Sequence, residues 1–162
     1  GDIPWFSVVD APNGSDLFTV NTQKHITQEG LQKSAAKLIP PFTTIISARG
    51  TVGKLAIAGQ EMTINQSCYA LNCDAPFYGY MIVNDSIMRI KANVHGSVFD
   101  TITRDTFERL EFPVPPKELV AEFENTIRPT FLKILGNVRE NEVLTELRDK
   151  LLPRLLSGEL EL

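Results

Sequence analysis

What this chain has little of narrows its function first. No apolar run approaches the roughly 18 residues that a membrane-spanning helix requires, and no secretory leader is visible at the start, where the chain begins at Gly1. A cytoplasmic protein without a membrane partner is the resulting expectation, with a processed or cut-down N-terminus as a further one. Cysteine is scarce: Cys68 and Cys73 have four residues between them, no second pair and no neighbouring histidine. That argues against a disulfide framework and for two reduced, incidental thiols. The two histidines, His25 and His95, have no carboxylate or thiol at ligand spacing, so no metal site is expected. An excess of positive charge is missing as well. The formal net charge is −4, whereas nucleic-acid binding ordinarily leaves a basic footprint.

The distribution of charge qualifies that last exclusion. No acidic residue lies between Glu29 and Glu61, a stretch that holds Lys33, Lys37, Arg49 and Lys54. A second acid-free stretch, between Asp85 and Asp100, holds Arg89, Lys91 and His95. The acids gather near the N-terminus and in the C-terminal segment, which leaves room for a local basic surface on an acidic body. With 43% hydrophobic and 22% charged residues, a chain of 162 residues carries enough apolar material for a core of its own. One domain, or one domain with an appendage, is the expected size class.

Catalytic constellations fail one by one. Gly50-Thr51-Val52-Gly53-Lys54 has the ending of a phosphate-binding loop, but Ala48 stands where glycine is needed and Leu55 where serine or threonine is needed. Its glycines fit a tight turn between strands, with Arg49 and Lys54 flanking it. Pro40-Pro41-Phe42 has the look of a DNA amino-methyltransferase step, yet Ile39 precedes it in place of the asparagine or aspartate that would hold the target amine. Ser47, Ser67 and Ser97 lack the context of an activated nucleophile. Glu122 and Glu124 read as the solvated face of a helix.

The chain changes character at Phe112-Pro113-Val114-Pro115-Pro116. Residues 1–116 read as a mixed α+β domain with many loops. Strands are expected at Thr44–Ser47, Leu55–Ala58, Cys68–Leu71 and Leu110–Phe112. A helix is expected over Ala75–Ile90, a short helical turn after Thr27, and a capped one after Thr103. Residues 117–162 read as a long helix with an apolar stripe. Val120, Phe123, Ile127, Ile134, Leu144 and Leu151 follow a seven-residue repeat, which Phe131, Val138 and Leu147 widen and Asn141 interrupts. Pro129 should kink that helix and Gly136 weaken it. Forty helical residues span about 60 Å, far more than a domain of this size can cover, so the stripe is expected to take a partner.

What survives is chemistry suited to reading DNA. Gln66, in Asn65-Gln66-Ser67, can pair bidentately with adenine, and Arg49 with guanine. Lys33, Ser34, Lys54, Lys91 and Ser97 suit phosphate oxygens, and Thr51 joins the set from the Arg49–Lys54 loop.

These residues also carry a family likeness. Gly1-Asp2-Ile3-Pro4-Trp5, His25-Ile26-Thr27-Gln28-Glu29-Gly30-Leu31, Ser47 to Lys54, Asn65 to Leu71, Gly96-Ser97 and Phe112 to Pro116 resemble, in order and spacing, the target-recognition domains of type I restriction–modification specificity subunits. The tail from Leu147 to Leu160 is similar to the end of that family's helical conserved region. The resemblance implies a non-catalytic subunit that reads one half of a bipartite site in double-stranded DNA. It implies docking of methyltransferase subunits, which bring S-adenosylmethionine, and of a restriction subunit where one is present. No cofactor is expected in this chain itself. The helix is implied to pair as an antiparallel coiled coil and to space two recognition domains. Family members carry two such domains and two helices and a leading segment before the Gly-Asp-Ile-Pro-Trp stretch. This chain is therefore expected to be half of a subunit, or a half-length protein that completes itself as a homodimer. The alternative is an adaptor or assembly inhibitor that works through the helix without reading DNA, a reading the negative net charge favours.

Overall fold

The computed structural model of the protein describes residues 1–13, 16–93, 101–109, 112 and 114–159. Its elements run β1 (Ile3–Phe6), a 3-10 turn (Val8–Asp10), β2 (Phe18–Thr19), β3 (His25–Ile26), α1 (Gln28–Gln32) and β4 (Leu38–Ile39). Then come β5 (Thr44–Ser47), β6 (Leu55–Ala58), β7 (Met62–Ile64), β8 (Cys68–Leu71), α2 (Pro76–Asn93), α3 (Arg104–Glu108) and α4 (Lys117–Leu156). Among the described residues the strands form two four-stranded sheets, ordered β3-β1-β7-β4 and β2-β6-β5-β8. The expected strand at Leu110–Phe112 falls mostly outside the described residues.

The two sheets face each other across one core. Phe6, Ile39 and Met62 from the first sheet meet Ile45, Ala56, Ala58 and Cys68 from the second. Because side chains alternate along a strand, the neighbours of those residues in β5 and β6 point the other way, into helices. Ile57 packs with Phe77 and Tyr80 of α2 and Phe131 and Leu135 of α4, while Ile46 packs with Ile87 of α2 and Ile102. The second sheet is thus covered on both faces, which is why its strands are continuous apolar runs. Phe42, at the end of the Pro-Pro-Phe step, sits in the left-handed region at φ 69° and turns its ring onto Phe77, with centroids 5.4 Å apart. Local strain of this kind costs about 1–3 kcal/mol and persists only where packing enforces it.

Thr27 caps α1 by accepting a hydrogen bond from the Gly30 amide, but the helix extends past the expected single turn to Gln32. Thr103 stands at the N-cap of α3 as its sequence predicts.

Helix α4 runs unbroken from Lys117 to Leu156, with Pro129 and Pro153 inside it. Its stripe is not one seam. Phe131 and Leu135 are buried in the cluster on the second sheet, with Ile127, Ile134 and Val138 packed beside them. These residues, apart from Leu135, are expected from sequence to face a partner, and instead they face the chain's own domain. The reason is geometric. At about 100° per residue, a seven-residue repeat falls about 20° behind a straight helix on every heptad, so its two ends leave on different faces. The distal residues Val143, Leu144, Leu147, Leu152 and Leu155 remain exposed. Leu119, Phe123 and Leu132 of the proximal half are exposed as well, so the length argument holds for the distal half of the helix and for part of the proximal one.

Glu124 overturns another expectation. It is only 5% exposed. One of its carboxylate oxygens accepts from the backbone amides of Phe77 (3.0 Å) and Tyr78 (2.9 Å), and the other from Arg128 (3.0 Å). The buried acid satisfies the free N–H groups at the start of α2, where negative charge is favoured. Glu122 is exposed, as its place in the sequence suggests.

Candidate nucleic-acid interface

The site residues gather at one end of the second sheet because of its register. β5 and β6 are antiparallel, with Ile46 opposite Leu55, so the loop 48–54 closes their shared end. β8 pairs antiparallel with β5, Ser47 opposite Cys68, which places the 65–67 turn at that same end. Ala48 joins the segments: its amide donates to the Ser67 carbonyl at 2.7 Å, and its carbonyl accepts from the Ile102 amide at 3.0 Å.

Ser47 holds the 48–54 loop closed. Its hydroxyl donates to the Thr51 carbonyl and accepts from the Lys54 amide at 2.9 Å. Its own carbonyl takes the Gly53 amide at 2.8 Å. Gly50 and Gly53 stand at φ +76° and +73°, the left-handed region that a side chain disfavours. This is a hairpin between antiparallel strands, and a phosphate-binding loop would instead lead from a strand into a helix. Arg49 and Thr51 are exposed and Lys54 half-buried.

The 65–67 turn is stapled in the same way. The Asn65 side-chain oxygen accepts from the Ser67 amide at 3.0 Å, and the Asn65 carbonyl from the Cys68 amide at 3.2 Å. Gln66 projects from it, exposed. Beside the turn opens a cleft of about 720 Å³ lined by Trp5, Ser34, Lys37, Asn65 and Gln66, among others. β4 and β7 are antiparallel with Leu38 opposite Thr63, so Lys37 enters β4 near the point where β7 leads into the turn.

The structure therefore brings Ser34, Arg49, Thr51, Lys54 and Gln66 to one end of the molecule and adds Lys37, Asn65 and Trp5 to them. Lys37 was legible only as part of a basic stretch. Among the described residues neither Lys37, Arg49 nor Lys54 has a carboxylate within ion-pair distance, whereas Lys33 pairs with Glu29. That pair is exposed on both sides, worth under about 1 kcal/mol, and a phosphate can displace it. Lys91 lies in α2, and Ser97 and His95 lie outside the described residues.

Helix α4 is docked at the other end of β6. There Arg139 donates to the Gly59 carbonyl at 2.9 Å, and Leu135 approaches Gly59 so closely that an added Cβ would stand 3.1 Å from it and 2.5 Å from Val20. Asn141, expected in a helix seam, is exposed and lines a cleft with Asp16 and Asn21. Nearby, burial and the charge of Glu146 both raise the Glu142 carboxyl above its usual range.

The thiols are separate and free. Burial, helped by the charge of Asp10, pushes Cys68 up to about 11. Cys73 is raised chiefly by burial. Among the described residues no group of three His, Cys, Asp or Glu could hold a metal ion, and no helix is long and apolar enough to cross a membrane.

Comparison with known proteins adds to this geometry. A sequence model described as the type I restriction modification DNA specificity domain matches residues 1–143. The specificity subunit of the type I restriction enzyme HindI from Haemophilus influenzae is 28% identical over 98% of this chain and 36% of its own length. That of the MjaIX enzyme from Methanocaldococcus jannaschii is 22% identical over 91% of this chain and 35% of its own length. The chain thus spans about a third of the length of the curated relatives it matches. A chain from a structural study of complex assembly and conformational transition in a type I R-M system superposes with a TM-score of 0.55 over 93% of this chain and 36% of its own length, at 18% identity. At that identity it speaks for the fold alone.

Proposed function

The chain belongs to the type I restriction–modification DNA specificity domain family, and on that premise we propose that it reads half of a bipartite DNA site and catalyses nothing itself. One observation carries the reading: polar and cationic side chains on the stapled segments 34–37, 49–54 and 65–67 converge at one end of the fold, away from the docked helix. Arg49 and Gln66 supply bidentate base chemistry, and Ser34, Lys37 and Lys54 supply phosphate contacts. The net charge of −4 is spread over both parts of the chain, and what supports the reading is its distribution: the acid-free stretch between Glu29 and Glu61 supplies Lys37, Arg49 and Lys54 to this end.

The exposed distal half of α4 is the proposed pairing surface, antiparallel to an equivalent helix, with a homodimer as the form available to this chain alone. Methyltransferase subunits carrying S-adenosylmethionine are the proposed further partners, with a restriction subunit in systems that cleave, all in the cytoplasm. The deciding experiment is selection from a randomised duplex pool, followed by salt titration of the duplexes recovered. A shared half-site should emerge, and log affinity should fall linearly with log salt, by about 0.9 per phosphate contact. Recovery of no shared sequence, with binding absent at low salt, replaces this reading with that of a helix-mediated adaptor.

A further inference from the structure

Glu124 and Arg139 lie on the same side of α4 as Phe131 and Leu135, and they bracket them. At about 100° per residue, Glu124, Phe131, Leu135 and Val138 fall within about 60° of one another round the helix, with Arg139 about 40° beyond that arc. Leu144, Leu147, Leu151 and Leu155 fall about 180° away by the same count. The docking face itself runs on into Glu142, Thr145 and Glu146, which line the cleft beside Asp16 and Asn21. The buried apolar patch of the proximal half and the exposed apolar stripe of the distal half therefore lie on opposite sides of the helix.

We propose that Glu124 and Arg139 are positioning residues that fix the rotation of α4, so that the distal stripe faces away from its own domain at one set angle to the loops 49–54 and 65–67. The proposal rests on the reading above for the roles of stripe and loops. Apolar contacts are non-directional, and the patch formed by Phe131, Leu135 and Val138 would tolerate a roll of the helix by itself. The hydrogen bonds would not. A roll pulls the Glu124 carboxylate from the Phe77 and Tyr78 amides, which leaves two helix-end donors unpaired and the carboxylate held by Arg128 alone. Arg128 holds the other oxygen of that carboxylate and lies over the Phe77 ring of α2 at 5.1 Å, a further contact between the two helices that a roll would disturb. Arg139 holds the Gly59 carbonyl about 22 Å further along the axis, since its anchor comes fifteen residues after Glu124. Two off-axis anchors at that separation define both tilt and roll. Gly59 can accept the second because it has no side chain to keep Leu135 and Val20 away.

The consequence is a lever with its phase locked. A partner helix on the distal stripe meets it from a fixed direction, and that direction sets how two reading ends are turned relative to each other along a duplex. A residue that merely stabilises the domain would not change that angle.

The test is a distance distribution between spin labels at Gln32→Cys and Ser157→Cys in a Cys73→Ser background, diluted with unlabelled protein. The original chain should give one narrow distance. Arg139→Ala should broaden or shift it, Glu124→Ala with Arg139→Ala should do so further, and Arg139→Lys, which can still reach the Gly59 carbonyl, should restore the narrow peak. If the Glu124 variant does not fold, the exposed Arg139 pair of variants carries the test. A narrow, unmoved distribution in Arg139→Ala overturns the proposal, whatever DNA binding shows. On duplexes carrying two half-sites, the same variants should lose preference for a single spacer length while keeping the half-site sequence. Distances that respond in a chain that binds no duplex overturn the function proposed above and leave the clamp standing.

Discussion

The two ends of strand β6 are built on opposite principles. At the Gly59 end, the helix α4 is pressed onto the sheet with Phe131 and Leu135 buried and a backbone carbonyl held by Arg139. At the Lys54 end, a loop is stapled to itself by Ser47 and offers Arg49, Thr51 and Lys54 outward. One end uses side chains for packing and leaves them no freedom. The other fixes the backbone and leaves the side chains free. Those two arrangements suit the roles proposed for them, holding an angle at one end and meeting DNA at the other.

Breaking the packed end has the largest expected effect. Phe131→Ala removes a ring that stacks on Phe77 at 4.5 Å and meets Phe18 and Tyr80 edge-on. It should cost about 3–5 kcal/mol in chemical denaturation, and a loss below about 1 kcal/mol would show that the helix is not seated there. The same measurement on Arg49→Ala, Lys54→Ala and Gln66→Ala should move stability by no more than about 0.5 kcal/mol. Binding of a selected duplex should instead weaken by about 1–3 kcal/mol for each lost base-reading pair. If all three bind normally, the reading end is misassigned. Gly59→Ala forces a methyl into contact with Val20 and Leu135 and should destabilise by about 1–3 kcal/mol, with half-site sequence preference retained.

Two smaller effects sharpen the contrast. Leu147→Ser, on the distal stripe, should leave the stability of the isolated molecule within about 0.5 kcal/mol of the original. Light scattering should show weakened self-association, and an unchanged mass at all concentrations would argue against the stripe as a pairing surface. The smallest effect is a pH dependence. Cys68 is raised from 9.0 to about 11 by burial and by Asp10. Above the lower value the unfolded chain gives up the proton that the folded one keeps, so stability should fall as pH climbs between those two values. Cys68→Ala should flatten that slope in alkaline denaturation curves, and a slope that persists would place its source elsewhere.

Much of the second sheet was legible in the sequence. Thr44–Ser47, Leu55–Ala58 and Cys68–Leu71 have the bounds their apolar runs predict, because both faces of that sheet are covered. The first sheet was not legible. β3 and β4 have two residues each, too short to show an alternation, and β1 contains Pro4. β1 and β4 become strands because β7 lies between them and supplies their partner, and β3 because it pairs with the other edge of β1. The proposed reading end was half legible: Arg49, Lys54 and Gln66 stood out by chemistry, whereas Trp5 and Lys37 join them only through strand pairings between segments far apart in the chain.

The sequence by itself determined that a long helix follows a mixed domain, since composition and periodicity are local properties that a linear pattern records. It also determined that no apolar stretch is long enough for a spanning helix. Only the tertiary structure decided which face of that helix is spent at home and which is left outside. A heptad pattern marks apolar positions but not the surface each one meets, and Glu124 reads as a surface acid until the first turn of α2 is brought against it.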